Sequence, residues 1–198
     1  LLIKPNPLWY DRAAIHDYLT PEIQRYQDQG LIPVVSNERF SGNPISGGYD
    51  SIEIANRLAN LLPQGRVVLV IREQKTMMLS LYKQYVKEGG ACTIEQFWHD
   101  FEPAKMPRFD MRFLEFHRLI QCYQERFEQV LVLPFELFLA DKVKFCNHLI
   151  AFAGGTPIES VPDDVVNQGF GGFELAMRWR TNFLFHRDMA NPSALFDV

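Results

Sequence analysis

The sequence predicts an α/β fold, a central and mainly parallel sheet flanked by helices, in one domain spanning 1-198. Three observations predict it. Apolar runs of strand length recur between helical patterns. Those runs do not alternate with polar residues, as expected of strands covered on both faces. Each helical pattern carries a cap or stop residue at a sensible place. Strands alternating with helices imply right-handed crossovers and an open sheet whose ligands bind beyond the carboxyl ends of the strands.

The elements follow in order. "LIPVVS", Leu31 to Ser36, reads as the first strand. The loop Ser41 to Asp50, "SGNPISGGYD", reads as the most flexible segment, close enough to Glu38 to border a site. "SIEIANRLANLL" places Ile52, Ala55, Leu58, Ala59 and Leu62 on one helical face, with Ser51 as N-cap. "RVVLVI", Arg66 to Ile71, is the second strand. "EQKTMMLSLYKQYVKEG" is a helix running from Glu73 towards Gly89, a natural C-terminal stop. "DMRFLEFHRLIQCYQERF" repeats apolar residues at Phe113, Phe116, Leu119, Ile120 and Tyr123 behind Asp110 as cap. "QVLVLPF", Gln129 to Phe135, is the third strand, with Pro134 near its end, where a lost ladder bond matters least. "ADKVKFCNHLIAFAGG" turns Val143, Cys146, Leu149, Ile150 and Phe152 inward, and "GFELAMRWRTNFLF" closes the chain's helices. Three residues fall at strand carboxyl ends: Glu38, Arg72 and Glu136.

Composition narrows the function. The chain has 198 residues, 47% of them hydrophobic, enough for one well-buried core. A formal net charge of -4 argues against general nucleic-acid binding but allows a local basic pocket for one small anion. Cys92, Cys122 and Cys146 match no zinc or disulfide spacing, which points to a reducing, cytoplasmic setting. No run reaches the ~18 to 20 apolar residues of a membrane span. The five histidines, His16, His99, His117, His148 and His186, show no metal-ligand spacing, so no metal site is expected.

The chemistry concentrates in "RVVLVIREQKTMMLSLYKQY". Arg72 ends the strand, where its planar fork suits a phosphate, and Ser80 stands ~9 to 12 Å along the next helix by rise per residue. Arg72 alone could equally be a helix-entry residue paired with Glu73 or Glu136. Together, arginine and serine eight positions apart resemble the 3′-phosphate-binding segment of sulfotransferases that use 3′-phosphoadenosine 5′-phosphosulfate (PAPS). "IANRLANLLPQGRVVLVIR" upstream and "FEQVLVLPFELFLADKVKFCNHLIAFAG" downstream are similar to that family's neighbouring segments. The resemblance covers roughly Val34 to Gly155.

It implies a P-loop NTPase-like sheet, PAPS as co-substrate with no metal, and Arg72 and Ser80 as nucleotide-binding residues. "GFGGFEL" resembles the glycine-rich part of the same phosphate site, giving Gly169 and Gly172, with Arg178 nearby. The chain departs from the family in three ways. Glu73, Gln74 and Thr76 stand where the family often has an Asn-Pro pair and then an acidic residue. Leu175 replaces a basic residue. No phosphosulfate loop precedes Leu31, and the leucine start suggests that the strand and loop lie upstream of Leu1.

The implied base is His or Glu. Glu38 in "VVSNERFSG" is the first candidate, although it could equally partner Arg39 or Arg72, and His16 is the second. The acceptor is expected to be a small molecule, carbohydrate or lipid. Trp9, Tyr10, Phe40, Trp98, Phe101 and Trp179 could line its pocket or belong to the core. Two other readings stay open. One is a P-loop kinase or NTPase using Glu136 with Mg²⁺. The other is a non-catalytic α/β binding module.

Overall fold

The computed structural model describes residues 2–3, 6–98, 109–162 and 172–185. Its helices are α1 (Arg12–Gln27), α2 (Ser51–Leu61), α3 (Gln74–Lys87), α4 (Ile94–Trp98), α5 (Phe116–Gln124), α6 (Phe135–Ala140), α7 (Lys142–Ala153) and α8 (Gly172–Phe185). Two strands, β1 (Val67–Ile71) and β2 (Val130–Pro134), form a parallel pair with Val67 opposite Val130 and Ile71 opposite Pro134. The protein is therefore mixed α/β and mostly helical, with a small parallel sheet. No described helix is long and apolar enough to cross a membrane.

The expected first strand does not pair. Among the described residues the sheet has two strands, and 31–36 belongs to neither. Pro33 removes a backbone donor from the middle of the run. With no partner strand beside it, Val34 is left 81% exposed and Leu31 53%. The expectation of coverage on both sheet faces also needs correcting. Leu69 is buried, but Val68 and Val70 on the other face are 39% and 50% exposed.

The chain divides into two compact units. The first comprises Leu1–Asn43, Gly48–Ile71 and Glu115–Glu159. Its core joins Ile15 of α1, Ile54, Ala55, Leu58 and Leu61 of α2, Leu69 of β1, Tyr123 of α5, and Phe127. The inward face of α2 thus keeps Ala55 and Leu58 of the expected stripe but takes Ile54 and Leu61 in place of Ile52 and Leu62. Ile52 is exposed and Ile54 takes its place, because the face is set by packing against α1, α5 and the Glu38–Ser41 turn rather than by Ser51 as cap. Asp50 precedes the helix instead, and the Ser51 hydroxyl donates to the Ser41 and Gly48 carbonyls at 2.6 Å.

Those bonds tie down the loop that reads as flexible in the sequence. Asp50 accepts from the Asn43 amide at 2.6 Å and from the Arg39 guanidinium at 3.0 Å. At Gly42 φ is +100°, and a Cβ there would collide with Ser51 Oγ, so the turn requires glycine. Tyr123 donates its hydroxyl to the Phe40 carbonyl, and burial pushes its pKa up, keeping the donor proton in place. Helix α7 ends as the sequence indicates, with Gly154 left-handed at φ 86°.

The second unit comprises Pro44–Gly47, Arg72–Leu114 and Ser160–Val198. Its core is aromatic. Phe97 of α4 lies 4.8 Å from the Tyr85 ring and 5.7 Å from Phe109, with Tyr82 and Trp98 edge-on to it. Helix α8 packs on α3, where Trp179 donates to the Ala91 and Cys92 carbonyls at 2.8 and 3.0 Å. Asp110 caps a short 3-10 turn, Met111–Leu114, by accepting from the Arg112 amide at 2.9 Å. It does not cap one long helix, because the chain passes between units at Glu115 and α5 begins only at Phe116.

Candidate functional site

The β1-to-α3 junction is built by its own first residues. Arg72 leaves the strand, and Glu73 then caps α3. The Glu73 carboxylate accepts from the Lys75 amide at 3.1 Å and the Thr76 amide at 2.7 Å. These bonds hold its pKa below the ordinary range, the Thr76 amide contributing most and the Lys75 amide next, so the carboxylate stays charged. Two of the orphan donors of the helix start are thereby taken by a carboxylate of the chain itself.

Arg72 is half-buried and lies along the same turn. Its Nε donates to Thr76 Oγ1 at 3.2 Å, and that hydroxyl donates to the Glu73 carbonyl at 2.9 Å. Ser80 stands four residues beyond Thr76, one turn along and on the same side of α3, about 6 Å further by helical rise. The buried stripe of α3, Leu81, Tyr82, Tyr85 and Val86, faces the other way. Ser80 is therefore exposed on the outer face of α3 one turn beyond Thr76, and Arg72, which precedes the helix, meets that face through Thr76. A guanidinium and an alcohol are the donor types that suit a single phosphate. The Glu73 carboxylate at the start of α3 opposes that phosphate's charge.

The remaining candidates are scattered. Glu38 is the exposed first residue of a 3-10 turn, Glu38–Ser41, whose amide cap is Asn37. Its carboxylate has no hydrogen-bond or ion-pair partner among the described residues. The suggested partner Arg39 pairs with Asp50 instead. His16 lies on the exposed side of α1, 3.5 Å from the Asp17 carboxylate. Gly172 begins α8 with open space where a Cβ would be, so nothing there requires a glycine. Arg178 is on α8 with its Nε 3.4 Å from Glu174. Gly169 and Phe101 lie outside the described residues.

The aromatic residues considered for an acceptor pocket have separate duties. Trp9 is 79% exposed, and Phe40 packs against the first unit's core. Trp98 and Trp179 belong to the second unit's packing.

Two polar features escaped the sequence reading. In the sequence Thr76 is only a departure from a pattern, yet its hydroxyl accepts from Arg72 Nε at 3.2 Å. Arg57 is not among the residues of the expected apolar stripe but is 3% exposed. It pairs with Glu53 at 2.9 Å, donates to the Leu2 carbonyl at 3.1 Å and stacks 4.4 Å from the Tyr10 ring centre. The signal that could have found it is its place between Ile54 and Leu58 on the inward face of α2. No family model, curated protein or solved structure matches the chain with significant similarity.

Proposed function

We propose that the protein is a PAPS-dependent sulfotransferase of P-loop NTPase-like architecture, moving a sulfuryl group to a hydroxyl or amine acceptor. The observation that carries this reading is the junction where β1 hands over to α3. What supports it is the order strand, arginine, helix, serine, with Arg72 bonded to Thr76 and Ser80 exposed one turn beyond Thr76 on α3. Arg72 follows β1 in the chain, one strand of a parallel pair, and ligands of open α/β sheets bind beyond the strand carboxyl ends.

In this reading Arg72 and Ser80 hold the nucleotide's 3′-phosphate, and Thr76 fixes the arginine. PAPS supplies the activated sulfuryl group. The acceptor oxygen bonds to sulfur as the sulfur–oxygen bond to the 5′-phosphate breaks, and the acceptor proton passes to the base, for which Glu38 is the candidate and His16 the alternative. The sulfuryl group carries less negative charge than a phosphoryl group, so a cationic side chain can stand where kinases use Mg²⁺. Gly169, Gly172 and Arg178 remain the proposed contributors from the C-terminal segment. The proposed acceptor is a small molecule, carbohydrate or lipid.

Calorimetry with 3′,5′-ADP tests the reading. Metal-independent binding that Arg72→Ala weakens is the expected outcome. Binding of ATP that requires Mg²⁺ and Glu136 would replace it with a kinase or NTPase. A Glu38→Gln protein that transfers sulfate at the wild-type rate would remove Glu38 as base.

A further inference from the structure

We propose that Thr76 is the positioning residue of the phosphate site, selecting which edge of the Arg72 guanidinium meets the anion. This rests on the nucleotide reading of the β1–α3 junction. The Thr76 hydroxyl has both its directions fixed. Its proton goes to the Glu73 carbonyl at 2.9 Å, and its lone pair receives the Arg72 Nε–H at 3.2 Å. The Thr76 amide is held in turn by the Glu73 carboxylate at 2.7 Å. A β-branched side chain anchored at both ends of its only polar atom has one rotamer open to it.

A guanidinium offers two paired edges to an oxyanion. One is side-on, through Nε and a neighbouring Nη; the other is end-on, through Nη1 and Nη2. Thr76 occupies Nε and so closes the side-on edge. A phosphate then meets the end-on pair, exchanging for whatever those nitrogens touch in its absence. Closing the side-on edge also keeps the phosphate off the base of the helix, where the Glu73 carboxylate would repel it. The next hydroxyl on that face is Ser80, one turn further from Glu73. Thr76 thus sets the position at which a dianion can use Arg72 and Ser80 while standing clear of Glu73.

The experiment compares 3′,5′-ADP with 5′-AMP, which lacks the 3′-phosphate, by calorimetry on wild-type protein, Thr76→Val and Thr76→Ser. The Arg72 Nε–H signal is followed by NMR in each. Wild type is expected to prefer 3′,5′-ADP. Thr76→Val keeps the branched shape and removes the hydroxyl. It should lose about 5- to 10-fold of that preference, the worth of one hydrogen bond, with 5′-AMP affinity unchanged and the Nε–H signal shifted. Thr76→Ser should restore both within about twofold. Thr76→Ala serves as the truncation if the valine protein does not fold. Equal weakening for both nucleotides, or no change for either, overturns the positioning role while leaving the nucleotide reading intact. A wild-type protein that binds both nucleotides alike overturns the nucleotide reading, and this assignment falls with it.

Discussion

Two parallel strands end in the same way and begin their helices differently. β1 is followed by Arg72 and a charged cap, Glu73, whose carboxylate takes the Lys75 and Thr76 amides, and a helix of 14 residues runs on from it. β2 passes straight from Pro134 into a 6-residue helix with no side-chain cap, and Glu136 is exposed in its first turn. Both points lie where open α/β sheets bind ligands. The first holds a cation that donates to a neighbouring hydroxyl, with a second hydroxyl one turn up the helix. The second offers the Glu136 carboxylate on a helix of 6 residues, too short to hold an anion at its start. An end-of-strand position is therefore only an address. The cap chemistry of the next helix decides whether a ligand could use it.

The largest expected effect concerns what supports the longer helix. α3 is seated by Tyr82 and Tyr85 against Phe97, which is fully buried. Phe97→Ala should cost about 3 to 5 kcal/mol of stability in chemical denaturation. Phe138, stacked on Phe135 beside β2 but only half-buried, should cost less when truncated. Equal losses would mean that the two junctions are supported alike.

Next comes the cation. A buried charge pair would be worth more, but Ser80 is exposed and Arg72 half-buried, so the value for an ordinary charge-assisted hydrogen bond applies. Arg72→Ala should weaken 3′,5′-ADP binding by about 1.5 to 3 kcal/mol, some 10- to 150-fold, whereas Glu136→Gln should leave it unchanged. The loss should shrink as salt is raised, because the exposed contact is screened. If Glu136→Gln does the damage instead, the comparison is inverted. Ser80→Ala is the smaller counterpart, about 0.5 to 1.5 kcal/mol in the same titration.

The smallest effect belongs to the cap. The folded-state pKa of Glu73 lies below its unfolded value, so its contribution is present above the unfolded value and is lost as pH falls through the folded one. The melting temperature of wild-type protein should exceed that of Glu73→Ala at neutral pH. The gap should close as pH drops below about 4. At neutral pH the same substitution should also tighten 3′,5′-ADP binding, since it removes a negative charge from the residue next to Arg72. A gap that persists in acid would show that Glu73 acts through packing rather than through its charge.

Much of the fold was legible because local rules agree with it. The runs around β1 and β2 are rich in Val, Ile and Leu and bounded by polar residues, and both strands fall within one residue of the expected ends. Gly154 stops α7 because only glycine takes its φ of 86° without strain. Helix α1 was not read. It carries Pro21 inside it and buries only Ile15, so it shows almost no apolar face. "LIPVVS" misled because strand propensity describes a residue's fitness for a sheet, while a strand also needs a neighbour. Of the candidate site, Arg72 and Ser80 stand out in the sequence by their spacing after a strand run. Thr76 does not, because a side chain-to-side chain hydrogen bond leaves no periodic trace.

The sequence by itself determined the two parallel-strand runs, the helix stops and the arginine placed at a strand's end. These depend on backbone conformations that neighbouring residues select over a few positions. Only the tertiary structure decided that Leu31 to Ser36 stays unpaired, that Ile54 rather than Ile52 faces the core and that Arg57 is buried beneath Tyr10. It also decided that Glu73 closes the start of α3. Each of these turns on which surface or partner is left after the other elements have packed, and burial, unlike helical or strand period, is settled by residues far apart in the chain.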